Sequence, residues 1–522
     1  MRRLFYNGTV ITMDGGRIAD SFFVEGDKIR KAGRAEDLVK NYRIDGSNCD
    51  IVDLNGMTVL PGLIDSHGHF LGVAMSRLSV ELSDCSDNRG VLERIEKFIN
   101  DRGVRPGEWV KAEGYNASGV RLTRGELDKY FPEYKIAVVY SSRHSGILNT
   151  NAIDALNAED RTGDGYFCER EFIDLIKRIP APDLEKIYAA CERAQKLYAS
   201  YGVTTIQEGA MNGGAVDIYK RLLERSLFYL DVVGYIDLSD ADISNIADAE
   251  KFFKSAADGG YDRHFRVGGY KIFLDGSPQD KTAWMKRPYE SDPENYGERA
   301  LSDKEVYDCV LFAAEKGAQI LAHCNGDAAC EQFIRAVRRA ADRGVDTSEL
   351  RPVMIHAQFL DTGMMKEVKR LNIIPSFFAS HIYRFGDIHI KNLGAERAFR
   401  MSPLRSALSE NIRFTLHQDP PVAPPDMFES VFCAVNRISE SGAVLGSGET
   451  IDVISALRAV TVDAAYQYGE EDVKGSISEN KKADFIIVDK DPLSIPKRDI
   501  KNIKILETFK DGESVYRAEE SF

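Results

Sequence analysis

The sequence predicts an α/β fold: a (β/α)8, TIM-like barrel, with a small composite β-sandwich domain drawn from both termini and a large insertion after the first barrel strand. Three observations carry this expectation. Apolar, β-branched runs alternate with amphipathic helical segments, which is the pattern of a parallel sheet. Eight such runs occur, at 58–64, 203–207, 228–235, 267–274, 319–322, 352–355, 373–376 and 412–416. Their spacing also fits: from Val203 to Ile412 six steps average about 35 residues, against roughly 31 per unit in a 250-residue barrel.

The elements follow in order. Short strand-like runs at 4–6, 10–13, 21–24, 29–32 and 51–54 are separated by Gly- and Asp-rich breaks. Runs at 483–489, 503–510 and 514–516 read the same way, and chain termini often lie close together. Residues 1–57 with 465–522 are therefore expected to form one β-sandwich domain, and 58–464 the barrel domain. Helical segments at 305–316, 329–343 and 362–371 fill the gaps between later strands. Only the step from Ile64 to Val203 is too long for one unit, by about 100 residues. It is assigned to an inserted subdomain, 71–200, with a helix at 91–100, strands at 109–113 and 136–140, and a long helix at 184–201. An insertion there falls on the barrel's C-terminal face, where active sites are built.

Composition narrows the class. The 522 residues are 43% hydrophobic and 29% charged, which sets aside disorder and fibrous folds. With 68 Lys+Arg against 82 Asp+Glu the net charge is −14, which argues against a nucleic-acid partner. No apolar run approaches the roughly 18 residues of a membrane span, and Asn7-Gly8 interrupts any signal-peptide core. Eight cysteines without a CxxC pair read as reduced, mostly buried thiols. A soluble, cytoplasmic protein is expected.

The sharpest local signal is Leu60-Pro61-Gly62-Leu63-Ile64-Asp65-Ser66-His67-Gly68-His69, an apolar strand ending in His-x-His. Side chains at i and i+2 of a strand point the same way, so both imidazoles can face one ion. Alone this is modest evidence. The fifth run ends at His323, the sixth at His356, and the eighth continues into His417-Gln418-Asp419. A lone strand-end histidine is usually structural; several of them plus an aspartate at barrel spacing point to a metal site.

The fourth run, Gly268-Gly269-Tyr270-Lys271-Ile272-Phe273-Leu274-Asp275, puts a lysine inside a buried strand. Desolvation lowers the pKa of such an amine, and a neutral amine can add carbon dioxide to give a metal-bridging carbamate. The structural alternative is an ion pair between Lys271 and Asp275. Glu208, closing the second run, is a competing carboxylate ligand.

With these residues in place the chain resembles the metal-dependent amidohydrolase superfamily, in the branch of N-substituted formamide deformylase-like and exoenzyme-regulator amidohydrolases. The resemblance spans nearly the whole chain. It includes Lys271-Ile272-Phe273-Leu274-Asp275-Gly276-Ser277, His356-Ala357-Gln358, Leu457-Arg458-Ala459-Val460-Thr461, Gly475-Ser476-Ile477 and Ala483-Asp484-Phe485. Arg143-His144-Ser145 with Asn149 looks like the branch's substrate-side segment. Two departures stand out. The branch's Arg in the run after DGS is Lys281 here, which loses bidentate recognition, and its Gly-Ser before the strand-eight Asp is His417-Gln418.

The resemblance implies a metal-dependent hydrolase cleaving a C–N bond in an amide, formamide or cyclic amide. His67, His69, Lys271, His323, His356 and Asp419, with Glu208 as competitor, would hold one or two divalent ions, zinc first and iron or manganese next. A metal-activated water would attack the carbonyl, with Asp419 as general base and His323 beside it as catalytic residue. Arg143, His144, Lys281, His381 and Gln418 are the expected substrate contacts, with His144 or His381 offering a hydrogen bond to the carbonyl oxygen. Two alternatives stay open: ester, lactone or phosphoester hydrolysis on the same barrel, or a non-catalytic regulatory or binding protein. The expected partners are a small-molecule substrate and a second copy in a homodimer, with no nucleic acid and no membrane.

Overall fold

The computed structural model describes residues 1–116, 121–141, 144–238 and 260–519. Eight parallel strands form one sheet in sequential order: β1 (Leu63–Ile64), β2 (Val203–Met211), β3 (Asp231–Asp237), β4 (Phe265–Phe273), β5 (Gln319–Cys324), β6 (Val353–His356), β7 (Ile374–Phe377) and β8 (Thr415–Leu416). Every residue of β3, β6 and β7 is buried. That explains runs that are apolar throughout instead of alternating: both faces of a parallel sheet are covered. Beyond the strand ends the two edges meet, as Asp419 N–H donates to His67 O (3.2 Å) and His69 N–H to Pro420 O (2.8 Å). The fold is TIM-like.

The crossover helices form where polar caps precede helical periodicity. Asp303–Glu315, between β4 and β5, opens on a capping box of Ser302 and Glu305. Asp327–Ala341, between β5 and β6, buries Ala329, Phe333, Val337 and Ala340, one face at three-to-four-residue intervals.

The expected first strand at 58–64 is two strands. Thr58–Pro61 pairs with Phe485–Val488 and Thr9–Ile11 in a different sheet, and only Leu63–Ile64 joins β2. Both halves are buried, so hydrophobicity does not separate them. Gly62 marks the break: a Cβ there would lie 2.4 Å from Thr204 Oγ1.

Thr58–Pro61 belongs to a six-stranded sheet that interleaves both chain ends, in the order Glu513–Arg517, Ile505–Lys510, Phe485–Val488, Thr58–Pro61, Thr9–Ile11, Ile18–Ala19. A four-stranded sheet orders Lys28–Gly33, Ser21–Glu25, Arg2–Tyr6 and Asp50–Asp53. One aromatic core serves both. Phe5 stacks on Phe22 at 4.7 Å and Phe485 on Phe509 at 4.3 Å, with Phe5 edge-on to Phe485 at 5.0 Å.

A buried charge network ties these strands to the barrel. Asp231, opening β3, meets both Lys474 and Lys510 (3.1 Å), and His264 Nδ1 at 2.8 Å; Lys510 also reaches Asp484 at 3.1 Å. Burial alone would raise the Asp231 pKa, but the two ammonium groups hold it well below the carboxylate range. Asp231→Asn leaves two buried cations short of a partner, so urea unfolding should show a loss of about 3–5 kcal/mol. A loss under about 1 kcal/mol would mean the network contributes little to stability.

A second compact unit comprises Leu71–Ala194. Its five-stranded sheet runs Tyr166–Cys168, Ser145–Leu148, Lys135–Tyr140, Trp109–Tyr115, Val80–Glu81. Two apolar clusters, one around Ile95, Val110 and Ile136 and one around Val139, Leu148 and Phe172, cover its two faces.

Candidate metal centre

β1 delivers His67 into the barrel mouth, buried, and His69 two residues on, partly exposed. Their ring centroids are 5.2 Å apart. The His67 ring lies directly over Gly209 of β2, where a Cβ would come within 2.6 Å of Cε1; no other residue fits under it. His69 is bridged to Glu208 by backbone pairing, with its Nδ1 3.7 Å from Glu208 Oε1. Glu208 Oε2 accepts from Tyr219 O–H at 2.7 Å.

Lys271 is wholly buried in β4, its Nζ 3.4 Å from His67 Nε2 and 4.9 Å from the centre of the Phe273 ring. The alternative pairing with Asp275 does not occur. Asp275 instead accepts the backbone N–H groups of Asn325 (3.0 Å), Gly326 (2.7 Å) and Trp284 (3.0 Å), and lies 3.3 Å from His323 Nδ1. Burial lowers the Lys271 pKa to about 8, against a partial pull upward from Asp419.

His323 and His356 stand at the ends of neighbouring β5 and β6, with ring centroids 4.5 Å apart. His356, Ala357 and Asp419 all take left-handed backbone angles, with φ of +69°, +47° and +53°. Such conformations are costly for non-glycine residues and cluster where a site must aim its side chains.

Asp419 is the hub. Its Oδ1 lies 3.6 Å from His67 Nε2 and 3.4 Å from His69 Nε2, and its Oδ2 is 3.9 Å from His356 Nε2. Oδ1 is buried without a hydrogen-bond donor. One ligand atom each from His67, His356 and Asp419 lies within 4.8 Å of the other two, and all three residues are buried. Ligands at 2.0–2.1 Å on a tetrahedral zinc ion stand about 3.3 Å from one another, so the separations around Asp419 fit one shared cation. The donor chemistry fits as well. Burial holds His67 and His356 well below the ordinary histidine range, which leaves them neutral with a free lone pair. Burial would also lower His69, but its hydrogen bond to Glu208 and the charges of Asp419 and Glu208 outweigh this and raise it.

Several residues around the centre were not anticipated. Gln207 fixes the His67 ring: its NH2 donates to Ser66 O (2.8 Å) and Tyr468 OH (3.0 Å), which turns Oε1 toward His67 Nδ1 at 2.6 Å. The signal was an amide beside Glu208 in a strand that is buried almost throughout. Asp65, also buried, accepts weakly from the N–H groups of His67 (3.5 Å) and Gln418 (3.4 Å) and joins the loops after β1 and β8. Burial pushes its pKa well above the carboxylate range. His417 packs edge-on to His67, with centroids 5.3 Å apart, and contacts His356.

The expected substrate residues differ in their local settings. His381 is buried, its Nδ1 3.2 Å from His389 Nε2 and its ring 4.5 Å from Phe378, which itself packs against His356 and His417. Gln418 is buried and its NH2 donates to Asp426 O. Lys281 is committed to Asp292 at 3.0 Å. His144, in the second unit, is exposed and 3.4 Å from Glu169. Arg143 lies outside the described residues. Cys324 and Cys330 are buried thiols whose pKa values burial pushes up, in keeping with a packing role.

A sequence family described as "Amidohydrolase family" matches residues 50–516. The chain is 24% identical over 551 residues to YtcJ of Bacillus subtilis (strain 168), covering 99% of each. It is 24% identical over 547 residues to the N-substituted formamide deformylase of Arthrobacter pascens, covering 98% of this chain and 97% of that one. Among solved structures, an uncharacterized metal-dependent hydrolase from Pyrococcus furiosus superposes with a TM-score of 0.77 at 23% identity, covering 95% of this chain and all of the other.

Proposed function

Because the chain belongs to the amidohydrolase family, we propose that it is a metal-dependent hydrolase that cleaves a C–N bond in an amide, formamide or cyclic amide. The observation that carries this is the buried, donor-less Asp419 Oδ1 set among imidazole nitrogens of His67 and His69. The likeness to a formamide deformylase over almost the full length of both chains supports the bond type.

In this reading His67, His69, His323, His356 and Asp419 hold one or two divalent ions, zinc first, with iron or manganese as substitutes. Lys271 completes the set as a carbamate: the neutral fraction of its amine, enlarged by burial, adds to carbon dioxide and loses a proton. Glu208 is the competing carboxylate ligand. A bound ion supplies Lewis acidity, polarising a carbonyl and lowering the pKa of water. The protein's own groups do the rest. Asp419 takes the proton of the attacking water and returns it to the departing nitrogen. The neutral, buried imidazoles keep their lone pairs directed inward, and Gln207 prevents the His67 ring from turning. His381 is the barrel-side candidate for a hydrogen bond to the carbonyl oxygen, and His144, Arg143, Lys281 and Gln418 for further substrate contacts.

The architecture belongs to the same proposal. Residues 1–57 and 465–522, with the Thr58–Pro61 strand paired between them, constitute a composite β-sandwich domain, the rest of 58–464 the catalytic domain, and 71–200 its insertion. Among the described residues no helix is long and apolar enough to cross a membrane.

The test is metal analysis followed by a substrate screen. Protein expressed with zinc or manganese should carry at least one ion per chain and hydrolyse some member of a panel of N-formyl, N-acyl and cyclic amides. Less than one ion per chain would sink the hydrolase reading. Turnover of esters or lactones alone would move it to another bond type.

A further inference from the structure

A chain of buried hydrogen bonds behind His356 has only one consistent direction. Ser66 Oγ–H donates to the backbone carbonyl of Leu416 at 3.0 Å, and a carbonyl can only accept. A hydroxyl has one proton. Ser66 therefore accepts from Ser376 Oγ–H at 3.1 Å, and Ser376, its proton spent, accepts from His417 Nδ1–H at 2.9 Å. A neutral imidazole carries one N–H, so His417 Nε2 is an acceptor, and its partner at 3.1 Å is His356 Nδ1–H. His356 is left with its lone pair on Nε2, the atom 3.9 Å from Asp419 Oδ2.

We propose that His417, ordered by Ser376 and Ser66, is a positioning residue that fixes His356 in the tautomer whose Nε2 faces Asp419. The inference rests on the metal-hydrolase reading and deepens it. Partners of this kind set ring orientation and ligand basicity, and their loss typically lowers metal affinity 10–100-fold. Four side chains, from β6, β7 and the loops after β1 and β8, make the relay, which ends on the Leu416 carbonyl of β8, 350 positions from Ser66. It is rooted in main chain, which side-chain motion does not disturb.

Two measurements on the full-length protein test it. Histidine-ring 15N shifts of the metal-free protein, assigned by single substitutions, should show both His356 and His417 protonated at Nδ1. A His356 ring protonated at Nε2 overturns the proposal. Zinc affinity, read by competition with a chromophoric chelator, should fall about 10–100-fold in His417→Phe and Ser376→Ala. His417→Gln, which restores an acceptor oxygen in place of Nε2, should recover most of the loss; a merely space-filling role would favour Phe over Gln. If Phe and Ala variants with wild-type far-UV circular dichroism bind zinc as wild type does, the relay is not positioning His356. Should His417→Phe fail to fold, Ser376→Ala, which removes one hydroxyl, decides. A wild-type protein that takes up no zinc sinks the hydrolase reading instead, and the ring shifts still decide the relay.

Discussion

Asp419→Asn should lower kcat by about 10²–10⁴-fold, the range lost when a general base is removed, with KM changed far less. The substitution is nearly isosteric, and the surroundings argue that the fold will accept it. The residue's backbone is held by its own N–H bond to His67 O and by the reciprocal His69–Pro420 bond, neither of which involves the carboxylate. What disappears is the charge and basicity of an oxygen placed 3.4–3.6 Å from two imidazole nitrogens without any donor of its own. Metal content should drop less than activity, because the amide oxygen can still coordinate. Steady-state kinetics with metal analysis on the same preparation separates the two effects. A fall in kcat below about tenfold with metal retained would place the base elsewhere.

Lys271→Met should abolish metal loading at that position and yet make the metal-free protein more stable at neutral pH. The ammonium is fully buried, and its pKa of about 8 lies below the roughly 10.4 of an unfolded lysine. Between those values the unfolded chain binds more protons than the folded one, so folded wild type gains stability as pH rises from about 8 to about 10.4. Below about 8 both states are protonated and the full penalty applies, about 3 kcal/mol for this shift. Methionine removes the charge at similar length. The variant should therefore exceed metal-free wild type by up to about 3 kcal/mol at pH 7, and the gap should close by about pH 10. Chemical denaturation of both proteins at several pH values reads this directly. A variant that is less stable at pH 7, with a difference flat in pH, would mean that the lysine is not desolvated as described.

The candidate ligand positions were legible because each is a local event. A strand that is apolar up to His323 or His356 announces both its burial and its candidate chemistry, and His67 follows the apolar Leu63–Ile64 by three residues. The lysine in β4 stood out for the same reason: an ionisable group where the pattern demands an apolar one. The partner of that lysine was not legible. Asp275 lies nearby along the chain, but its oxygens are taken by main-chain N–H groups of Asn325, Gly326 and Trp284, which periodicity does not reveal. The 58–64 run illustrates the complementary limit, since two strands of different sheets are equally hydrophobic when both are buried.

The sequence alone therefore determined the alternation of strands and helices, the length anomaly after the first strand, and the residue types of the candidate donors. Those depend on hydrophobic period and residue type within a few positions. Only the tertiary structure decided how the donors are held. Gln207 meets His67 across 140 positions and Ser376 meets Ser66 across 310. Whether a buried amide, hydroxyl or imidazole is a partner or an orphan depends on which distant strand end the closing barrel brings against it.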